Sequence, residues 1–115
     1  MHKQFDYIVI GAGSAGCVVA NRLSEASSNS VLVLEAGGTD KKFWIQTPLG
    51  YGKTFTDSNV NWLYRTSAVK DLENRACFWP RGKVLGGSSS INAMVYVRGQ
   101  QEDYDDWEEL GCRGW

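Results

Sequence analysis

Two short apolar runs flank a helical pattern at the start of the chain. Phe5 to Ile10, FDYIVI, is apolar at almost every position and stops at glycine. A run of that length bounded by a turn signal predicts a buried strand of a parallel sheet. SAGCVVANRLSEA continues the chain from Ser14. It sets Ala15, Val18, Val19 and Leu23 at helical spacing and leaves Asn21, Arg22 and Glu25 for solvent. SSNS breaks the helix. Val31 to Glu35, VLVLE, is a second buried strand that ends in an acid, and AGG closes the unit. Strand, helix, strand in that order predicts a βαβ unit and an α/β fold.

Between Thr39 and Arg75 the periodicity fades. Phe43 to Gly52, FWIQTPLGYG, mixes aromatic residues with Pro48, Gly50 and Gly52 and predicts a short helix or an ordered loop. VNWLYRT, Val60 to Thr66, and ACFWP, Ala76 to Pro80, alternate well enough for two strands, with KDLEN as the turn between them. They predict a hairpin outside the parallel sheet. On this pattern Trp62 and Tyr64 pack in the hairpin's core; the competing role is stacking against a flat ring system. A last helix is predicted over Gln101 to Leu110, with Gly111 as its stop signal.

Composition narrows the partners. The formal net charge is −1, without the basic excess that nucleic acid or an anionic membrane surface would favour. No apolar run approaches the roughly 18 residues of a membrane span. MHKQFDYIVIGAG lacks the long apolar run and cleavage site of a secretory signal, so a cytoplasmic protein is expected. Cys17, Cys77 and Cys112 are odd in number and far apart, a pattern of neither a disulfide framework nor a metal site. They are expected to be small buried hydrophobes. His2, the lone histidine, and the pair Lys41 and Lys42 are expected to be solvated.

Glycine changes the picture more. The chain has 13 glycines in 115 residues, against a typical frequency of about 7%, and they cluster. The first cluster is GAGSAG, Gly11 to Gly16, set between a strand and a helix, with Glu35 19 residues beyond Gly16. That is the dinucleotide fingerprint in its required context. Gly11 permits the turn, Gly13 lets a pyrophosphate reach the backbone, and Gly16 lets the helix pack close to the strands. The helix start offers free N–H groups and a positive dipole end to the anion. Glu35 suits the hydroxyls of an adenosine ribose and would repel a 2′-phosphate, which disfavours NADP. FAD and NAD both stay open at this point, beside an unliganded glycine turn.

The second cluster is PRGKVLGGSSSINAMVYVRG, Pro80 to Gly99. Gly86 and Gly87 allow close backbone approach. Ser88 is the best candidate to cap a following helix whose N–H groups would face an anion. Asn92 carries a donor and an acceptor, which suits the polar edge of a heterocycle. A tight start to a helix with no ligand explains the pattern equally well.

Taken together, DYIVIGAGSAGCVVANRLSE…VLVLEAGG and RGKVLGGSSSINAMVYVRGQQEDYDDW resemble the glucose–methanol–choline (GMC) family of flavin oxidoreductases. PLGYG and NWLY between them also look familial. The likeness runs over nearly the whole chain and leans toward the bacterial choline dehydrogenase-like alcohol dehydrogenases. It implies that residues 1–115 are the N-terminal portion of an FAD-binding domain, Rossmann-like with additional short strands and helices. The substrate domain and the C-terminal histidine base would lie outside this sequence, and His2 does not replace that base. The resemblance implies that Gly11, Gly13, Ser14, Ala15 and Gly16 hold the FAD pyrophosphate, and that Glu35, with Ala36 beside it, holds the adenosine ribose. Trp62, Arg81, Gly82 and Val84 would line the FAD path. Gly87, Ser88, Asn92, Ala93, Met94 and Val95 would lie beside the pyrophosphate, ribityl chain and isoalloxazine. Some family members carry a covalent flavin on a histidine just before the matching asparagine. Here that position is Ile91, so FAD is expected to bind non-covalently.

The implied reaction is oxidation of a small alcohol, choline or a primary alcohol, with oxygen or a quinone-like carrier as electron acceptor. The 115 residues alone are expected to be inactive and to bind FAD weakly. An NAD-dependent Rossmann oxidoreductase is the first alternative, but it has no need of the second glycine cluster. A non-catalytic dinucleotide-binding remnant is the other, and intact glycines in both clusters weigh against it.

Overall fold

The computed structural model of the chain describes residues 3–114; the expectation for His2 lies outside them. β1 (Tyr7–Ile10) and β2 (Val31–Leu34) pair in parallel, in a register that sets Tyr7 against Val31 and Ile10 against Leu34. Parallel neighbours need a crossover, and α1 (Ser14–Ser24) supplies it. The Asn29 side chain ends the helix by donating to the Leu23 carbonyl at 2.8 Å, which satisfies an acceptor of the last turn. The predicted βαβ unit is therefore present.

The middle of the chain forms three short helical turns: α2 (Phe43–Gln46), a 3₁₀ turn (Pro48–Gly50) and α3 (Tyr51–Thr54). The predicted hairpin comes next. β3 (Tyr64–Arg65) and β4 (Phe78–Trp79) pair antiparallel, Tyr64 against Trp79, in a sheet separate from the first. KDLEN closes it with a 3₁₀ turn (Lys70–Leu72) and two left-handed residues, Glu73 and Asn74. α4 (Gln101–Glu109) ends as the sequence predicts. Gly111 is left-handed, its N–H donates to the Glu108 carbonyl, and the Cys112 N–H donates to the Trp107 carbonyl. That pair of bonds is a Schellman motif. Among the described residues, no helix is long and apolar enough to cross a membrane.

Three expectations are corrected. First, β1 and β2 are paired as predicted but not buried: Ile8 is 58% exposed and Ile10 85%. The described sheet has two strands, and the radius of gyration is 18.6 Å, against about 13 Å for a compact chain of this length. Much apolar surface therefore faces outward. Among the described residues the buried apolar ones are Ala12, Val60, Val84 and Ile91, the last three packed together with Ile45 against them. Second, the cysteines are not buried hydrophobes: Cys17 and Cys112 are exposed and Cys77 is half-buried. α1 buries none of its residues, so Cys17 has no core to enter. Third, no helix forms after the serines. Gly87–Ser90 make one 3₁₀ turn, and residues 93–100 have no regular structure.

The serine side chains explain that last difference. Ser90 Oγ donates to the Leu85 carbonyl at 2.7 Å and Ser89 Oγ to the Gly86 carbonyl. Ser88 Oγ caps nothing; it accepts the Gly82 N–H at 3.0 Å. Hydroxyls that bond to nearby backbone compete with helix formation. Beyond them Met94 is left-handed (φ 56°), a conformation that interrupts any helix.

Candidate functional site

The carboxyl ends of β1 and β2 open onto a cleft of about 620 Å³. Ligands in open α/β sheets bind at this end of the strands. α1 begins on its floor. The first intrahelical bond there runs from the Cys17 N–H to the Gly13 carbonyl, so the N–H groups of Ser14, Ala15 and Gly16 precede the ladder. Gly16 has to be glycine: a Cβ there would stand 1.9 Å from the Gly11 carbonyl oxygen. α1 can start this close to β1 only without that side chain.

Arg81, Gly82, Gly87 and Ser88 line the opposite side, and the segment that joins them is zipped on both sides. The Lys83 N–H donates to the Val60 carbonyl and the Trp62 N–H to the Arg81 carbonyl. On the other side the Leu85 N–H donates to the Gly38 carbonyl, and the Gly86 N–H to the Ala12 carbonyl at 2.8 Å. Gly87 then presses on the first loop. It is left-handed (φ 60°), and a Cβ on it would meet the Gly13 Cα at 2.9 Å. The two glycine clusters are thus in direct contact.

Asn61 holds the third wall, and nothing in the sequence pattern singles it out. It is 1% exposed. Its Oδ1 accepts the N–H groups of Leu63 and Arg81, and its Nδ2 donates to the Phe55 carbonyl at 3.1 Å. One amide thus ties the end of α3 to the backbone of Leu63 and Arg81. Trp62 and Tyr64 do not form a hairpin core. They are 41% and 49% exposed, lie parallel with ring centroids 5.7 Å apart, and line the cleft. Lys83 Nζ stands 4.9 Å over the Trp62 ring.

The cleft brings together Gly11, Gly13, Ser14, Ala15, Gly16, Glu35, Ala36, Trp62, Arg81, Gly82, Gly87 and Ser88. Val84 is fully buried in the small core and lines neither this cleft nor the second one. Asn92 and Met94 lie elsewhere, on a second cleft of about 240 Å³ shared with Asp40, Trp44 and Tyr51. The Asn92 side-chain oxygen is taken by the Met94 N–H at 2.7 Å. Ala93 and Val95 are exposed and line neither cleft. Ile10 and Leu34 line the first cleft without being among the expected site residues, and Tyr64 lines it in keeping with its competing stacking role. Their signals were available: Ile10 and Leu34 end the two strands, and Tyr64 lies two residues from Trp62 on the same strand face.

These walls fit a dinucleotide. An anion can sit at the start of α1, and a ribose can reach Glu35, both on the lining of this cleft. The GMC oxidoreductase family model matches residues 5–115. The chain belongs to this family. Among GMC and related proteins, it is 55% identical to an oxygen-dependent choline dehydrogenase of Vibrio vulnificus (strain YJ016), over 100% of this chain and 20% of that protein. It is 53% identical to an alcohol dehydrogenase [acceptor] of Pseudomonas putida, over 96% of this chain and 20% of that protein. A solved structure of Aspergillus oryzae formate oxidase, described for the effect of a mutation on FAD modification, superposes with a TM-score of 0.75. It is 37% identical over 96% of this chain and 20% of its own. The chain thus spans about a fifth of the length of these relatives.

Proposed function

We propose that residues 1–115 are the N-terminal portion of the FAD-binding domain of an alcohol oxidoreductase of the GMC family, acting on choline or a primary alcohol. One observation carries this reading: a single cleft joins the GAGSAG loop, Glu35 and the second glycine cluster. Family membership and the kinship with choline and alcohol dehydrogenases support FAD over NAD. FAD, when bound, supplies a flavin that accepts hydride from the alcohol carbon. In this reading Gly11, Gly13, Ser14, Ala15 and Gly16 hold the pyrophosphate, and Arg81 lines the FAD path. Glu35 accepts from the ribose hydroxyls, and Trp62 walls the cleft. The segment from Gly87 to Val95 runs on toward the flavin.

Ile91 supports non-covalent attachment. It is 3% exposed and offers only hydrocarbon where a covalent bond would need a nucleophile. In this reading the base that takes the alcohol proton and the substrate domain come from sequence outside these 115 residues, and the electron acceptor is oxygen or a quinone-like carrier. A cytoplasmic setting is part of the same proposal and is supported by three unpaired cysteines, which a reducing compartment maintains.

Titrating the purified chain with FAD and with NAD, then assaying dye reduction with choline and primary alcohols, tests the reading. The expected result is weak, flavin-selective binding without turnover, and flavin released by acid precipitation. Turnover by this chain alone, or a preference for NAD, would overturn the proposal. Flavin that co-precipitates with the protein would overturn non-covalent attachment.

A further inference from the structure

Glu35 is assigned to the ribose, yet both of its carboxylate oxygens already have protein partners. Oε2 accepts the Ala12 N–H at 2.7 Å, and Oε1 accepts the Gly37 N–H at 2.8 Å. Ala12 is 3% exposed and Glu35 is half-buried. Ala12 is the residue inside the turn of the GAGSAG loop, and its carbonyl accepts the Gly86 N–H at 2.8 Å. Gly37 leads into Gly38, whose carbonyl accepts the Leu85 N–H at 2.9 Å. A Cβ on Gly37 would strike the Lys83 carbonyl. The carboxylate therefore joins the two peptides that carry the second glycine cluster.

We infer that Glu35 is a positioning residue for the phosphate loop as well as a ribose ligand: with no ligand present, it holds the 11–13 turn and the 36–38 turn at the spacing that the 84–87 segment bridges. The chemistry allows both roles. An ionised carboxylate offers about four lone-pair sites; two are used on backbone N–H groups, and one on each oxygen remains for a cis-diol. Charge-assisted bonds to backbone N–H groups are among the stronger hydrogen bonds. Glutamine cannot replace it, because its amide keeps one acceptor oxygen and turns an NH₂ donor toward the second N–H. Aspartate keeps the charge but is one methylene too short to span both turns.

The ligand half of this inference rests on the dinucleotide reading; the hydrogen-bond half does not, and the test separates them. In ligand-free protein, the amide protons of Ala12 and Gly37 are expected to shift together as the Glu35 carboxyl is protonated. Amides of the β3–β4 hairpin serve as the control. This arm needs no variant to fold and no ligand to bind. If the two amides ignore that titration, the inference fails.

The second arm measures ADP and 2′,3′-dideoxy-ADP binding to the parent, Glu35→Gln and Glu35→Asp. A residue that meets only the ribose affects ADP alone, because the dideoxy ligand has no hydroxyls for it to meet. A residue that also sets the loop weakens both, here by about tenfold or more for each ligand, the size of one lost charge-assisted bond. Loss confined to ADP overturns the inference. Failure of the parent to bind either nucleotide would count against the dinucleotide reading, while the amide titration would still decide the loop role.

Discussion

The two glycine clusters look alike as strings of letters and differ in the fold. GAGSAG opens an eleven-residue helix, whereas GGSSS makes a single 3₁₀ turn and runs on without regular structure. The residues behind each cluster decide this. Behind Gly16 come residues that propagate a helix, and little in the first turn competes with the ladder. Behind Gly87 come three serines; two donate to nearby backbone and one is taken by Gly82, and a left-handed Met94 closes the segment. Only the first cluster can therefore offer a helix N-terminus to an anion. The second is a brace: it presses on the first loop through Gly87 and Gly13 and carries the chain past the cleft.

That contrast can be broken most sharply inside the first loop. Gly16→Ala puts a Cβ 1.9 Å from a backbone oxygen that cannot step aside. The gain in helix propensity is about 1 kcal/mol, while overpacking against backbone costs about 3 kcal/mol or more. The expected outcome is a large drop in melting temperature and lost binding. Gly13→Ala is the reverse case. Its Cβ would meet nothing nearer than the Gly87 Cα at 4.0 Å, and the backbone there is extended. Stability should stay within about 0.5 kcal/mol of the parent, as for substitutions that disturb no special feature. Nucleotide affinity should fall on the order of tenfold, because the new methyl stands where the pyrophosphate approaches. Equal stability losses in the two variants would mean that Gly13 serves the fold rather than the ligand.

The brace has its own weak point in Asn61. Asn61→Ala leaves the Leu63 and Arg81 N–H groups and the Phe55 carbonyl without their partner, at a cost of about 2–3 kcal/mol. Damage should concentrate on the second cluster. Trp62 fluorescence should change and the 81–83 amides should exchange faster, while the β1–β2 amides keep their protection. Loss spread evenly over both regions would show that the brace and the βαβ unit are one cooperative element.

Much of the first region was legible in the sequence because its signals are local. The strand ends, the glycine spacing and Glu35 sit within 35 residues and each acts on near neighbours. Burial was not legible, since an apolar run such as FDYIVI says what a strand could cover and not whether anything covers it. The second region depends on partners far along the chain. Ser88 reads as a helix cap from its spacing, but its hydroxyl is claimed by Gly82. Asn61 has no local signature; only the meeting of residues 54–55, 63 and 81 makes it a hub. Trp62 and Tyr64 read as hairpin packing because alternation gives the shared face but not what lies across it.

The smallest expected effect belongs to the first region and comes from acid. Asp6 Oδ2 accepts the Ser30 hydroxyl at 2.6 Å and the Ser30 N–H at 2.7 Å, clasping the start of β1 to the start of β2. The hydroxyl bond first, and the N–H bond after it, hold the Asp6 carboxyl below its ordinary value of 3.8. A carboxyl lowered on folding stabilises the fold fully above that ordinary value. The contribution fades as pH falls through the lowered one. The clasp is solvent-exposed, so its contribution is small. Denaturation midpoints measured from pH 5 downward should show a slight acid-side loss that Asp6→Asn removes. The amides near Ser30 should open before those around Asn61, whose ties are uncharged. If parent and Asp6→Asn lose stability identically below pH 4, the clasp contributes nothing and the strand register rests on the β1–β2 ladder alone.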